Sequence, residues 1–438
     1  MIKNITLLFF VLISLLMTNL AYSSSTSSYL ISKAAFKLND FQKVFDEFDT
    51  YEKDLNLLDY QDILISLVNL KKINQANKIA IKILDIDSDN QEALMVIMVN
   101  FLINNKKENI NKEYYNTNNE LINFIFFENK LLKSNYEISI SFLELAQNFF
   151  SNSSSYKINY SYLLFYLSLS ASINTENDQA LFMLGQIYQI MEKYEDAELH
   201  YNKIKKDSIY FIDAKRNIAF NYSKFLDYNE AEKKIIDLIK ITNNNNYIIK
   251  ILADFYRIKK KYEKAINHYD ELILLQKNKT NSDLWNLFYL RGVCFERINK
   301  WQLAEKDLLY SLELKYDSPN VLNYLAYGWI ERDIYIDRAL LMLEKAYKAN
   351  PDSYYILDSL AWAHYKKNNL QLAANLMEKV IVMAPGEAIS LDHLGDIYFS
   401  LNRKREAVFL WKQAKDLAEP EDEIKENLEK KLDSYYER

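Results

Sequence analysis

A period of 34 residues constrains this chain more than any other feature. Leu184-Gly185 is followed by Tyr188, Ala197 and Tyr201; a shift of 34 lands on Ile218-Ala219, Tyr222, Ala231 and Ile235, and a second shift on Leu252-Ala253, Tyr256, Ala265 and Tyr269. Four further units follow, marked by Gly292, Phe295, Ala304 and Leu308; by Leu325-Ala326, Trp329, Ala339 and Leu343; by Leu360-Ala361, His364, Ala373 and Met377; and by Leu394-Gly395, Tyr398, Ala407 and Trp411. Each unit reads as helix, short turn, helix. The spacing has a steric cause. A small residue lets two helices approach, and the large residue three positions later is expected to fill the gap. The alanine twelve positions after the small residue sits where the second helix crosses the first, so enlarging it to leucine should cost about 1–3 kcal/mol. No unit can bury its apolar face alone, so neighbours must stack. Pro351 and Pro385 fall where second helices stop.

Composition agrees with long helices and polar turns. Only 5 Gly and 4 Pro occur in 438 residues, too few for a strand-rich fold with many tight turns. Aromatic residues make up 14% of the chain and suit the seams between stacked helices. The fold class is therefore all-α, a superhelical solenoid of antiparallel helix pairs. Four segments are expected: 1–23, 24–173 as a divergent helical repeat region, 174–418 as an array of about seven repeats, and 419–438 as a charged capping helix. Within 24–173, Ala34-Ala35 with Phe41 and Phe45, then Ala76 and Ala80, suggest decayed repeats; Asn104–Asn119 and Ser151–Ser155 read as breaks.

The 34-residue pattern of Leu-Gly/Ala, Tyr, Ala, aromatic and Pro resembles the tetratricopeptide-repeat (TPR) family. Leu322-Asn323-Tyr324-Leu325-Ala326-Tyr327, Leu357-Asp358-Ser359-Leu360-Ala361-Trp362 and Asp392-His393-Leu394-Gly395-Asp396 are similar, more narrowly, to the C-terminal repeats of exported proteobacterial TPR proteins. Those carry Gly where this chain has Ala326 and Ala361, a change that keeps a small side chain. The clear resemblance covers residues 178–417.

The chain opens Met-Ile-Lys and then runs apolar from Ile5 to Met17, with small residues Ala21 and Ser23 at a cleavage junction. This is the layout of a secretory signal peptide. The run is short for a membrane span, which takes about 20 residues; an uncleaved anchor facing the periplasm is the alternative. No cysteine lies near the junction, which excludes a lipoprotein. Export without cysteine pairs fits a bacterial periplasm.

Chemistry is hard to find. Four histidines, His200, His268, His364 and His393, form no metal-spaced motif. His364 takes the place of Tyr188, Tyr222 and Tyr256 and reads as packing. His393, with Asp392 and Asp396 beside it, is a conceivable metal site set against an ordinary polar helix surface. Five scattered glycines make no phosphate loop. The lone Cys294 is expected on a buried helix side; Arg291 and Arg297 are near it in sequence. A net charge of −6 and short lysine runs give no basic stripe for nucleic acid. No enzyme activity and no cofactor or metal are expected.

What remains is a surface. The TPR resemblance implies that positions 2, 5, 9 and 12 of each first helix line a concave groove. Mapped here, the groove takes Phe182, Gln186, Arg216, Phe220, Lys250, Arg257, Tyr289, Asn323, Tyr327, Asp358, Trp362, Tyr365, Asp392 and Asp396. Rings that anchor and polar groups that orient suit a peptide or helix; for Trp362, filling the space between repeats is an equal reading. Lys250 holds one position of a carboxylate clamp known in the family, but Asp254 stands where Asn is wanted, so recognition of a terminal carboxylate there is not expected. The resemblance thus implies a non-enzymatic scaffold or adaptor of the cell envelope that binds a protein or peptide partner, touching the membrane only through the N-terminal segment. Two alternatives stand beside it: a small-ligand or glycan receptor, and an enzyme with its site in residues 29–173.

Overall fold

The computed structural model describes residues 25–51, 55–113, 119–152, 158–276, 283–419 and 424–436. The expected signal segment, most of the Ser151–Ser155 break and most of the insertion at Gln276–Ser282 lie outside these residues. Helix pairs dominate, and contacts divide the chain into two compact units, one ending at Asn243 and one beginning at Asn244.

The second unit is regular. Its pairs are Asn246–Ile258 with Tyr262–Gln276, Leu284–Arg297 with Trp301–Leu314, Pro319–Glu331 with Ile336–Ala349, Tyr354–Lys366 with Leu370–Met383, and Ala388–Ser400 with Lys404–Leu417. A last helix, Lys425–Tyr436, packs on Lys404–Leu417. The crossing alanines Ala265, Ala304, Ala339, Ala373 and Ala407 are fully buried, as their spacing requires. The small residue is also explained, with one correction. A Cβ built on Gly395 would lie 2.5 Å from the Trp411 ring. The side chain over the small residue thus comes from sixteen positions on, in the facing helix, and not from three positions on as the spacing suggested. A residue at i+3 lies beside the small one along the same helix, whereas the partner helix lies across from it.

First helices here end without glycine. Lys260, Asn299, Asn368 and Asn402 adopt left-handed backbone, with φ between 57° and 62°. The following N–H then donates to the carbonyl five residues back: Lys261 to Tyr256, Lys300 to Phe295, Asn369 to His364 and Arg403 to Tyr398, at 2.8–2.9 Å. Asparagine tolerates this conformation better than most residues, which lets helix pairs turn in so glycine-poor a chain.

The first unit is less regular. It begins with the pairs Ser25–Lys37 with Phe41–Tyr51 and Leu57–Asn69 with Ile73–Ile86, and ends with Asp178–Ile190 with Tyr194–Tyr201 and Phe211–Phe225 with Tyr228–Ile241. The marker positions hold here too: Ala197 and Ala231 are fully buried, and a Cβ on Gly185 would meet the Tyr201 ring at 2.4 Å. Between these pairs lie Gln91–Ile103, the short helices Lys107–Glu113 and Glu120–Phe126, and the longer helices Asn135–Asn152 and Tyr160–Ile173. A two-residue hairpin interrupts the helices: Phe127–Glu128 pairs antiparallel with Leu131–Leu132. Asn129 and Lys130 both have positive φ, as a tight hairpin turn demands.

Helix Tyr160–Ile173 is buried from Leu163 to Ala171. It touches Asn135–Asn152 and Asp178–Ile190, its neighbours in sequence, and also Leu57–Asn69 and Gln91–Ile103. A helix that is apolar all round must be covered all round. Buried hydrogen bonds tie the same elements together: Asn69 donates to the Ser161 carbonyl, Ser168 to the Asn69 side chain, and Asn177 to Ser139 and Ser170.

Candidate interaction face

In the second unit, the first helices Pro319–Glu331, Tyr354–Lys366 and Ala388–Ser400 touch one another in turn. Residues about one period apart therefore face each other. The Tyr355 hydroxyl donates to Asn320 at 3.1 Å, Tyr365 and Ser400 share a hydrogen bond at 3.2 Å, and Asp358 meets His393, each pair 35 residues apart.

At the centre of this face Trp362 stacks with two rings. Tyr365 stacks at 4.6 Å with a 21° tilt, and His393 at 4.1 Å with 14°. The indole N–H donates to Glu331 at 2.7 Å. His393 Nδ1 sits 3.0 and 3.1 Å from the two Asp358 oxygens. Burial opposes an imidazolium here, but Asp358, with Asp392 and Asp396 beyond it, outweighs burial and holds the His393 pKa above its ordinary value. A protonated ring against an indole face also gains cation–π attraction. Trp362 is thus covered by its own chain, and only 8% of the residue is exposed.

Asp392 and Asp396 point at the C-terminal helix. Lys431 Nζ lies 2.6 Å from Asp392 and 2.7 Å from Asp396, and the Trp411 indole donates to Asp396 at 3.0 Å. Burial opposes the Lys431 ammonium, yet the two carboxylates raise its pKa. The last helix therefore covers these two positions.

Toward the start of the unit, Tyr289 packs edge-on to Tyr324 at 6.0 Å. The Tyr324 hydroxyl donates to Glu296 at 3.1 Å, and Arg332 reaches the same carboxylate at 3.4 Å. Tyr327 is half-buried; burial, Glu331 and Asp358 push its phenol pKa upward. The side-chain oxygen of Asn323 is buried without a hydrogen-bond partner. Lys250 is held by Asp254 at 2.8 Å, Arg257 approaches that carboxylate at 3.9 Å, and the Tyr269 hydroxyl donates to it at 2.5 Å. Asp254 thus occupies Lys250 instead of leaving it to an incoming carboxylate.

In the first unit Phe182 stacks on Tyr210 at 5.3 Å, Gln186 is exposed, Arg216 pairs with Asp213 at 3.2 Å, and Phe220 stands 43% exposed beside Lys224. Sequence reasoning placed Glu296 in the groove but missed Glu331 and Lys431, and it weighed His393 as a metal ligand or an ordinary polar surface residue, not as a partner of Asp358 and Trp362. The signal was available for Lys431, which lies 35 residues after Asp396 on the last helix. Glu331 lies one turn past the marked groove positions of its helix and gave none.

Among the described residues no group of three His, Cys, Asp or Glu side chains is placed to hold a metal ion, and no helix is long and apolar enough to cross a membrane. Cys294 is fully buried, and burial pushes its thiol pKa up to about 12. Arg291 is committed to Asp270 and Asp307. His364 is buried, with its pKa lowered by burial.

A family model described as tetratricopeptide repeat matches residues 178–206. A TPR repeat-containing protein of Pseudomonas aeruginosa is 32% identical over 111 residues, covering 25% of this chain and 19% of that protein. The match thus spans under a fifth of that relative's length. Among solved structures, a tetratricopeptide repeat protein from Parabacteroides merdae is similar with a TM-score of 0.46 at 18% identity, over 57% of this chain and 97% of that one. Yeast Tom70 is similar with a TM-score of 0.39 at 13% identity, over 94% and 95%.

Proposed function

Because the chain belongs to the tetratricopeptide-repeat family, we propose that it is a non-enzymatic scaffold or adaptor that binds a protein or peptide partner on the first-helix face of its second unit. One observation carries this reading: half-exposed rings share one continuous face. Tyr289, Tyr327 and Tyr365 are each partly exposed there, and the Asn323 side-chain oxygen lies among them without a partner. Such a face anchors an extended or helical segment through its rings. Trp362 supports the face from beneath, while Asp392 and Asp396 belong to the closure by the last helix.

The N-terminal pattern supports export to the periplasm, with residues 1–23 as a signal segment, 24–173 as a divergent repeat region, 174–418 as the array and 419–438 as its cap. The envelope is then where the partner is to be sought. Affinity capture from an envelope extract compares the full chain with a Tyr327→Ala, Asn323→Ala variant of equal helicity. Specific retention by the first and its loss in the second is expected. Equal retention by both, or none by the intact chain, would remove this face from the function.

A further inference from the structure

The first unit holds a cavity of 320 Å³, apart from the face just described. It opens where the ends of helices Leu57–Asn69, Gln91–Ile103 and Tyr160–Ile173 meet the start of the first regular repeat. Two lysines line it, Lys71 and Lys203, with the Thr175 hydroxyl, with Ser172, whose hydroxyl donates to the Ser168 carbonyl at 2.7 Å, and with Ile103 and Leu181 among its apolar wall.

Neither lysine is ion-paired: both are exposed, and among the described residues no carboxylate lies within ion-pair distance of either, although the charge of Asp196 acts on Lys71. Instead Lys71 Nζ is held 3.1 Å from His200 Nε2. His200 Nδ1 lies 2.8 Å from the Asp196 carbonyl, which assigns its proton to Nδ1 and leaves Nε2 as an acceptor for Lys71. The ring is fixed from its face by Tyr188 at 5.2 Å. A neutral, anchored imidazole thus positions the Lys71 ammonium without neutralising it. The Lys71 backbone is itself left-handed at φ 60°. Burial, and then the adjacent Lys203, lower the Lys71 pKa to about 8 against the opposing charge of Asp196.

From this arrangement we infer that the cavity is a binding site for a small organic carboxylate with a short aliphatic arm. The carboxylate bridges Lys71 and Lys203, with the Thr175 hydroxyl as a further donor, and the arm lies against Ile103 and Leu181. An anion repays the repulsion between the two ammonium groups, and an apolar arm displaces water from the rest of the wall. A doubly charged inorganic ion would leave that wall in water, so the aliphatic carboxylate is the better match.

The test uses the full chain and hexanoate, followed by calorimetry and by the shift in thermal unfolding. Hexanoate should bind at one site, and 1-hexanol, which has the same arm without the charge, should not. Lys203 is exposed, so Lys203→Gln should fold normally and weaken hexanoate binding by about tenfold or more. Leu181→Asn, checked for native helicity, should weaken hexanoate but leave inorganic phosphate binding unaltered. A short peptide ending in leucine, with a free or an amidated C-terminus, tells a free acid from a chain end: tighter binding of the free form supports the site and assigns its carboxylate to a protein terminus. No binding of hexanoate or of the free peptide, equal binding of hexanol, or an unchanged affinity in Lys203→Gln would each overturn the assignment.

Discussion

Gly395→Ala separates the packing role of the small marker residue from helix propensity. Within a helix the change should stabilise by about 1 kcal/mol, because alanine restricts the unfolded chain. The structure places the new Cβ 2.5 Å from both Cδ1 and Nε1 of Trp411, where ordinary contact begins at 3.4 Å. The indole must move by roughly an ångström inside a seam where Trp411 is 4% exposed. Overpacking of this kind costs about 1–3 kcal/mol. The same movement stretches the indole hydrogen bond to Asp396, now 3.0 Å, and a bond to a charged group is worth about 1.5–3 kcal/mol. The net expectation is a loss of about 2–4 kcal/mol. Gly386 supplies the control: a Cβ there meets nothing within 4 Å, so Gly386→Ala should change stability by less than about 0.5 kcal/mol. Urea unfolding followed by circular dichroism measures both, with amide hydrogen exchange in Lys404–Leu417 as a local reading. Gly395→Ala, Trp411→Leu should recover part of the loss by removing the clash. A Gly395→Ala protein as stable as Gly386→Ala would refute the close-approach account of the repeat.

Lys431→Met should leave Asp392 and Asp396 facing each other uncompensated, destabilise the C-terminal helix by about 3 kcal/mol, and open the chain after Leu417 to limited proteolysis. For His393 the folded pKa is raised, so its contribution is fully present below the unfolded value of about 6.5 and is lost as pH rises through the folded pKa. The stability difference between the wild type and His393→Gln should therefore shrink as pH rises above about 6.5; a difference that grows would reverse the sign. With the Cys294 thiol near 12, iodoacetamide at about pH 8 should modify the native protein on the order of a thousandfold more slowly than the urea-unfolded chain. Equal rates, read by intact mass, would place the thiol outside the core.

The sequence alone determined that this chain pairs helices at a fixed repeat and which small residues sit at the crossings. Those features are local and recur, so each unit checks the next; Ala265, Ala304, Ala339, Ala373 and Ala407 are all buried as their spacing demands. It determined the proposed interaction face only in outline. The rings of Tyr327 and Tyr365 could be placed from register, but the covering of Trp362 by His393 and of Asp396 by Lys431 depends on how neighbouring helices meet. Tertiary structure alone decided the first unit. The apolar run from Leu163 to Leu169 announces a buried helix but names no partner, and its contacts with Leu57–Asn69 join residues about a hundred positions apart. Such pairings leave no period in the chain, because they are selected by complementary shape and by hydrogen bonds that exist only after the helices have packed. The union of Lys71 with His200 and Lys203 is of the same kind.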